Sequence, residues 1–148
     1  MEKFSNSVIR KFDKKQLLVK ELSRKETVSL FFQSDLFFFP SNVECAPLIL
    51  YECLASKLPF LATDVGNIRE IILETKAGQL LPSKRVKKGL IKSRTFLSSI
   101  ELKKMLDNID FWKKSSKKAY KIWMKKYEWS KIATKYDSLY EKLLKKYD

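Results

Sequence analysis

The chain has 148 residues, 45% hydrophobic and 32% charged, with 31 Lys/Arg against 17 Asp/Glu for a net charge of +14. That length makes one domain, 1–148, with enough residues to bury a real core. The two cysteines, Cys45 and Cys53, and the lack of any histidine exclude a disulfide framework and make a poor metal-ligand set, so no metal is expected.

The charge is uneven. Residues 1–82 carry 11 Lys/Arg and 10 Asp/Glu, whereas residues 83–148 carry 20 and 7. The surplus is almost all Lys on helical spacing, which reads first as solvated helix faces. An anionic membrane surface is the partner a basic half of this kind would suit. Nucleic acid is not expected, because no nucleic-acid-binding motif stands in the chain. The opening MEKFSNSVIRKFDKKQ lacks the apolar run of a signal peptide. No apolar run, 36–40 included, is nearly long enough to span a bilayer. The thiols read as reduced, and the expected location is the cytoplasm, with peripheral attachment at the cytoplasmic face of a membrane as an option.

In chain order, Leu17, Leu18 and Val19 form a short apolar run that predicts a strand. Ser23 with Glu26 is a capping box, each side chain meeting the other's free backbone N–H, so a helix is predicted to about Gln33. Leu36 to Phe39 is unbroken apolar sequence and predicts a buried strand, ended by Pro40, Ser41 and Asn42. Pro47 suits a first helical residue because it has no N–H to leave unpaired. The mostly apolar stretch 48–55 is then a helix packed on a sheet. Residues 59–63 predict a strand, 64–67 a turn, 68–73 a short helix and 78–82 a last short strand. Alternating strands and helices with short loops imply right-handed βαβ units and a parallel sheet of about four strands, an α/β core over 17–82.

After Pro82 the texture changes. Lys84 to Arg94 is basic and has no clear period. From 100 to 148 the period is helical, giving a tail of basic helices with Leu102, Met105, Leu106 and Ile109 on one stripe and Ala119, Ile122 and Trp123 on another. Ser130 is the expected N-cap of a last helix bearing Ile132, Tyr136, Leu139, Tyr140, Leu143 and Leu144. Trp112, Trp123 and Trp129 read as packing residues rather than base-stacking platforms.

One stretch carries chemistry. Ser41 to Leu48, followed by Glu52, lies at the carboxyl end of a predicted strand and opens a helix. Ligands of open α/β sheets bind at that edge. A helix N-terminus there offers unpaired N–H groups and a partial positive charge, both suited to a diphosphate. Glu44 precedes the helix and Glu52 sits one to two turns inside it. Two carboxylates so placed could grip the hydroxyls of a sugar and of a ribose. Cys45 and Cys53 have no base beside them in the sequence and read as lining or core thiols rather than nucleophiles.

The run SDLFFFPS, then ECAPLILYECLASKLPFLATDVGNIREII, then GQLLP resembles the signature region of the group 1 glycosyltransferases, the retaining GT-B enzymes of the family 4 type. Glu44 and Glu52 match that family's E-x7-E motif. Asp35 matches the Asp ahead of its strand, and Thr63, Asp64, Val65, Gly66 and Glu70 match its next loop and helix. Tyr127 to Ala133, with Tyr136 and Tyr140, is similar to the family's terminal segment. The resemblance implies a Rossmann-like donor-binding half. Glu44 would then be the catalytic residue at the donor sugar and Glu52 the ribose ligand. Backbone N–H groups over Cys45, Ala46, Pro47 and Leu48 would meet the diphosphate. The donor would be a nucleotide-diphosphate sugar, transferred with retention and without a cofactor.

The chain departs from the family where Cys45, Ala46 and Pro47 replace Gly-Phe-Gly, and Pro47 has no N–H to donate. Lys57 and Leu58 replace the usual Gly before the next strand. A complete enzyme of that fold also needs an acceptor domain with a His, and a basic pair against the diphosphate. The resemblance therefore implies a donor half that needs a separate acceptor-domain partner, or a truncated remnant. Whether the chain alone turns over stays open. The alternative is a non-enzymatic interaction or membrane-docking protein that keeps the fold.

Overall fold

The computed structural model describes residues 18–86 and 89–147. The chain divides into two compact units, Met1–Leu30 and Phe31–Asp148. In the first unit, Leu18 and Val19 are not in a strand, and Leu18 is 78% exposed. Leu18 and Val19 pair with no strand among the described residues, so the expected strand is not formed there; Leu17 lies outside the described residues. The capping box does form. Glu26 Oε2 accepts from Ser23 N at 2.8 Å, and Ser23 Oγ accepts from Glu26 N at 3.3 Å. Helix α1, Arg24–Gln33, starts from it. Lys20 Nζ, Ser23 N and Ser23 Oγ all donate to the Glu26 carboxylate and hold it down to about 2.

In the second unit, β1 (Phe37–Phe39), α2 (Leu48–Ser56), β2 (Phe60–Ala62), α3 (Ile68–Thr75) and β3 (Gly78–Leu80) follow the alternation read from the sequence. The strands form a parallel sheet in the order β1-β2-β3, with Phe37 opposite Phe60 and Phe60 opposite Gly78. The architecture is mixed α/β, a three-stranded parallel sheet flanked by helices. Side chains alternate across it, as the pleat requires. Phe60 and Ala62 join Leu50, Cys53, Leu54, Ile68 and Ile71 in the main core. Leu61 faces the opposite way and packs with Leu81 and Met105, flanked by Leu36, Leu102 and Trp112.

The start of α2 differs from expectation by one residue. Pro47 is the N-cap of α2, at φ −69° and ψ 107°, and the helix proper begins at Leu48. The extended ψ lets Pro47 aim its carbonyl at Leu50 N, 3.2 Å away. Helix α2 ends at Lys57 in a left-handed conformation (φ 60°), where the sequence has Lys in place of the usual Gly. Its Nζ rests 4.6 Å above the Tyr120 ring.

The basic stretch with no clear period is an antiparallel hairpin, β4 (Ser83–Arg85) and β5 (Ile91–Ser93), with Lys84 opposite Lys92. Helix α4 (Thr95–Asp107) follows and begins earlier than the period suggested. Asn108 separates it from α5 (Ile109–Lys126), so the stripe through Ile109 is broken by a helix boundary. Helix α5 is fixed to the core by buried Ala119 and by Trp123. Ser115 Oγ and Ser116 Oγ donate to the carbonyls of Lys76 and Ala77 at 2.5 and 3.4 Å. Asp35 is an ion-pair partner of Lys113 on α5, at 2.5 Å. Helix α6 covers Trp129–Tyr147. Its N-cap is Glu128 rather than Ser130: the Glu128 carboxylate accepts from Ser130 N at 3.2 Å, because its longer side chain reaches the second amide of the helix. Trp112 and Trp123 pack as expected, but Trp129 is 70% exposed because no element covers that side of α6. Among the described residues no helix is long and apolar enough to cross a membrane.

Candidate functional site

The site residues lie where β1 and β2 end. Both strands are parallel, so their carboxyl ends and the loops that follow share one edge of the sheet. The β1 loop carries Glu44 and leads into α2. The β2 loop carries Asp64, Val65, Gly66 and Asn67 and leads into α3.

Gly66 has φ +54°, and a Cβ there would come within 2.7 Å of the Cys45 carbonyl carbon and 2.9 Å of the Glu44 oxygen. The two loop backbones therefore touch, and only glycine allows it. Asn67 N donates to the Cys45 carbonyl at 3.0 Å on the same line. Deeper in, Thr63 Oγ1 donates to the Ser41 carbonyl. The first loop is thus pinned at Ser41 and at Cys45, on either side of Glu44.

Glu44 is half-buried, and its Oε1 accepts from Ser41 Oγ at 2.9 Å. One hydroxyl donor orients the carboxylate and leaves it with further acceptor capacity. Cys45 and Ala46 are exposed, and Pro47 is buried. Leu48 opens α2 and is 62% exposed. Glu52 is half-buried and lies four residues further on, on the Leu48 stripe of the helix rather than the stripe of Leu50, Cys53 and Leu54 that enters the core. No side chain caps α2. The amides of Cys45, Ala46, Leu48 and Ile49 have no hydrogen-bond acceptor among the described residues. These amides and the partial positive end of the helix make an electropositive shelf beside Glu44. Cys53 is on the other side of the helix, in the core, where burial and then the Glu52 charge push its thiol well up. It is an inert thiol.

A second row of residues braces this arrangement. Asn67 Nδ2 donates to Tyr51 Oη at 3.1 Å, and the Tyr51 ring packs on Tyr127 with centroids 5.0 Å apart. Tyr127 Oη and Lys126 Nζ both donate to the Glu74 carboxylate. The β2 loop, α2, α3 and the end of α5 are joined through these side chains. The sequence groups Gly66 with Thr63 as a motif and places Ser41 in the Glu44 stretch and Asn67 in the following turn, but it gives neither of them a partner and gives Tyr51 no role. The only signal for Ser41 was its place three residues before Glu44.

A half-buried carboxylate, an amide-lined helix start and a second acid on the exposed stripe thus stand together at the carboxyl edge of the sheet. The family described as glycosyl transferases group 1 matches residues 9–111 of the chain. The chain belongs to that family. No curated protein matches it.

Proposed function

We propose that this chain binds a nucleotide-diphosphate sugar as the donor half of a retaining hexosyltransferase. What supports the reading most is the Glu44 loop: a carboxylate oriented by Ser41 and flanked by unpaired amides, at the ligand edge of a family member's sheet. In this reading the diphosphate meets the amides of Cys45, Ala46, Leu48 and Ile49. Pro47 supplies none, and its buried ring instead sets the extended turn that frees the amide of Leu48. Glu44 accepts from hydroxyls of the hexose beside the anomeric carbon and opposes its developing positive charge. Glu52, one helical turn further on, accepts from the ribose hydroxyls. During transfer the bond from C1 to the diphosphate breaks, a bond from C1 to an acceptor hydroxyl oxygen forms on the same face, and the hydroxyl's proton passes to the departing diphosphate oxygen. The acceptor-binding domain is supplied by residues outside these 148, on the same or another chain.

Titration calorimetry with UDP- and GDP-sugars tests this. One of them should bind, and Glu44→Ala or Glu52→Ala should each weaken it by about tenfold or more, the loss of charged hydrogen bonds. If no donor of either class binds, or both variants bind like the parent, the reading fails.

A second reading has its own observation. The apolar stripe of α6, with Tyr136, Leu139, Tyr140, Leu143 and Leu144 all exposed, faces away from its Lys residues. A helix of that kind lies at an anionic membrane interface. In this reading the chain docks at a membrane, and pelleting with anionic vesicles at low and high salt tests it; absence of pelleting at both excludes it.

A further inference from the structure

The β4–β5 hairpin leaves a problem of charge. Lys84 and Lys92 are direct cross-strand partners, so their side chains share one face. Like charges in that position repel. Neither has an ion-pair partner among the described residues, nor does Arg94, which follows β5. All three line an open cavity of about 590 Å³, whose other walls are Val86, Ser93 and, at the start of α4, Thr95, Phe96 and Leu97, and which includes no carboxylate. No side chain caps that helix, and the amides of these three residues have no acceptor among the described residues. Phe96 is 76% exposed at the rim.

The ligand that answers this arrangement can be argued from charge and valence. A carboxylate brings one charge and two oxygens to three cations. A phosphate monoester brings close to two charges and three strong acceptors. A concave cavity of this size also encloses a small molecule rather than a long polyanion. The hairpin is joined to the donor loop as well: Ile91 N donates to the carbonyl of Asn42 at 3.0 Å, two residues before Glu44. The hairpin that holds the cavity is thus hydrogen-bonded to the loop that carries Glu44.

We propose that the cavity of Lys84, Lys92, Arg94 and the α4 amides binds a phosphate monoester group, carried by the acceptor substrate. The phosphate site stands on the hairpin alone, whereas its assignment to the acceptor rests on the donor reading above.

The test is an amide NMR titration of the full chain in chloride buffer with inorganic phosphate and then glucose 1-phosphate. Saturable shifts are expected at Thr95, Phe96 and Leu97. Lys84→Gln/Lys92→Gln should weaken binding by about tenfold or more. Lys117→Gln/Lys118→Gln removes the same charge from an exposed face of α5 and should change it by less than about twofold. Both pairs are exposed, and folding is checked from the rest of each spectrum. No shift at the three amides, or equal weakening by the two double variants, overturns the site.

Sedimentation with phosphatidylcholine vesicles containing about a third phosphatidic acid, whose headgroup is itself a phosphate monoester, separates the sources. The hairpin variant should sediment like the parent. If it alone loses vesicle binding, the phosphate is a lipid headgroup and the acceptor assignment is overturned. Glu44→Gln should leave the phosphate shifts intact. Failure of UDP- and GDP-sugars to move the Cys45 to Ile49 amides, with the phosphate shifts preserved, sinks the donor reading and the acceptor assignment but not the phosphate site.

Discussion

Gly66 and Ser41 act on Glu44 from opposite sides, one through backbone and one through a hydroxyl. A β-carbon on Gly66 would meet the carbonyls of Cys45 and Glu44 as well as the strain of a positive φ. Gly66→Ala is therefore expected to lower stability by about 3 kcal/mol, read from urea unfolding, with donor binding lost in the fraction still folded. Ser41→Ala should behave differently. It removes the hydrogen bond to Glu44 but no buried packing, so unfolding should shift by about 1 kcal/mol or less while donor affinity falls severalfold. Equal effects of Ser41→Ala on stability and on affinity would mean that Ser41 braces the fold rather than the carboxylate. The two acids themselves were legible in the sequence because their spacing sits in a strand–loop–helix context. Ser41 and Asn67 were not, since short polar residues in loops have too many uses for their type alone to declare a partner. Nor did Pro47 declare that it would cap α2 rather than begin it, a difference of one residue that only ψ decides.

At the scale of elements, the central alternation could be read because unbroken apolar strands and short loops allow few arrangements. The hairpin could not. Its strands are three residues each, it pairs Lys with Lys, and it is held by a tertiary bond from Ile91 to Asn42 that no local pattern announces. The joint between α3 and α5 was equally hidden, since Glu74 and Tyr127 are far apart in the chain. Lys126, then Tyr127, hold the Glu74 carboxyl below its ordinary value of 4.5. A carboxyl lowered in the folded state stabilises the fold fully above its unfolded value and loses that contribution as pH falls through the folded one. Glu74 is partly exposed, so the joint should contribute only about 1 kcal/mol. Wild type and Glu74→Gln should thus differ in thermal midpoint at pH 7 and converge as pH drops below 4.5. A difference that persists unchanged at pH 2 would assign the effect to packing instead. Tyr127→Phe keeps the ring on Tyr51 and should reproduce only part of the loss.

Over the whole molecule, stability and surface chemistry are carried by different parts of the chain. The buried side chains of the second unit come from Phe31 of α1, the sheet and its loops, α2, α3 and the faces of α4 and α5, whereas none comes from the described residues of α6. Residues 129–147 instead carry Lys131, Lys135, Lys142, Lys145 and Lys146 against Asp137 and Glu141, with the aromatic and leucine stripe on the other side. A helix that buries nothing adds little to the folding free energy, because most helical stability in proteins comes from packing one face. A chain ending at Glu128 should therefore keep the thermal midpoint of the full chain to within a few degrees, a shift of about 1 kcal/mol or less. Its affinity for anionic vesicles should fall steeply, since it loses both the apolar face and a net positive charge. Leu139→Ser/Leu143→Ser in the full chain separates these two contributions. It keeps every charge, so vesicle binding that survives it would be electrostatic and salt-sensitive, and binding that disappears would rest on insertion of the stripe. If the shortened chain unfolds at a much lower temperature, α6 packs on the core in solution and the division of labour is wrong.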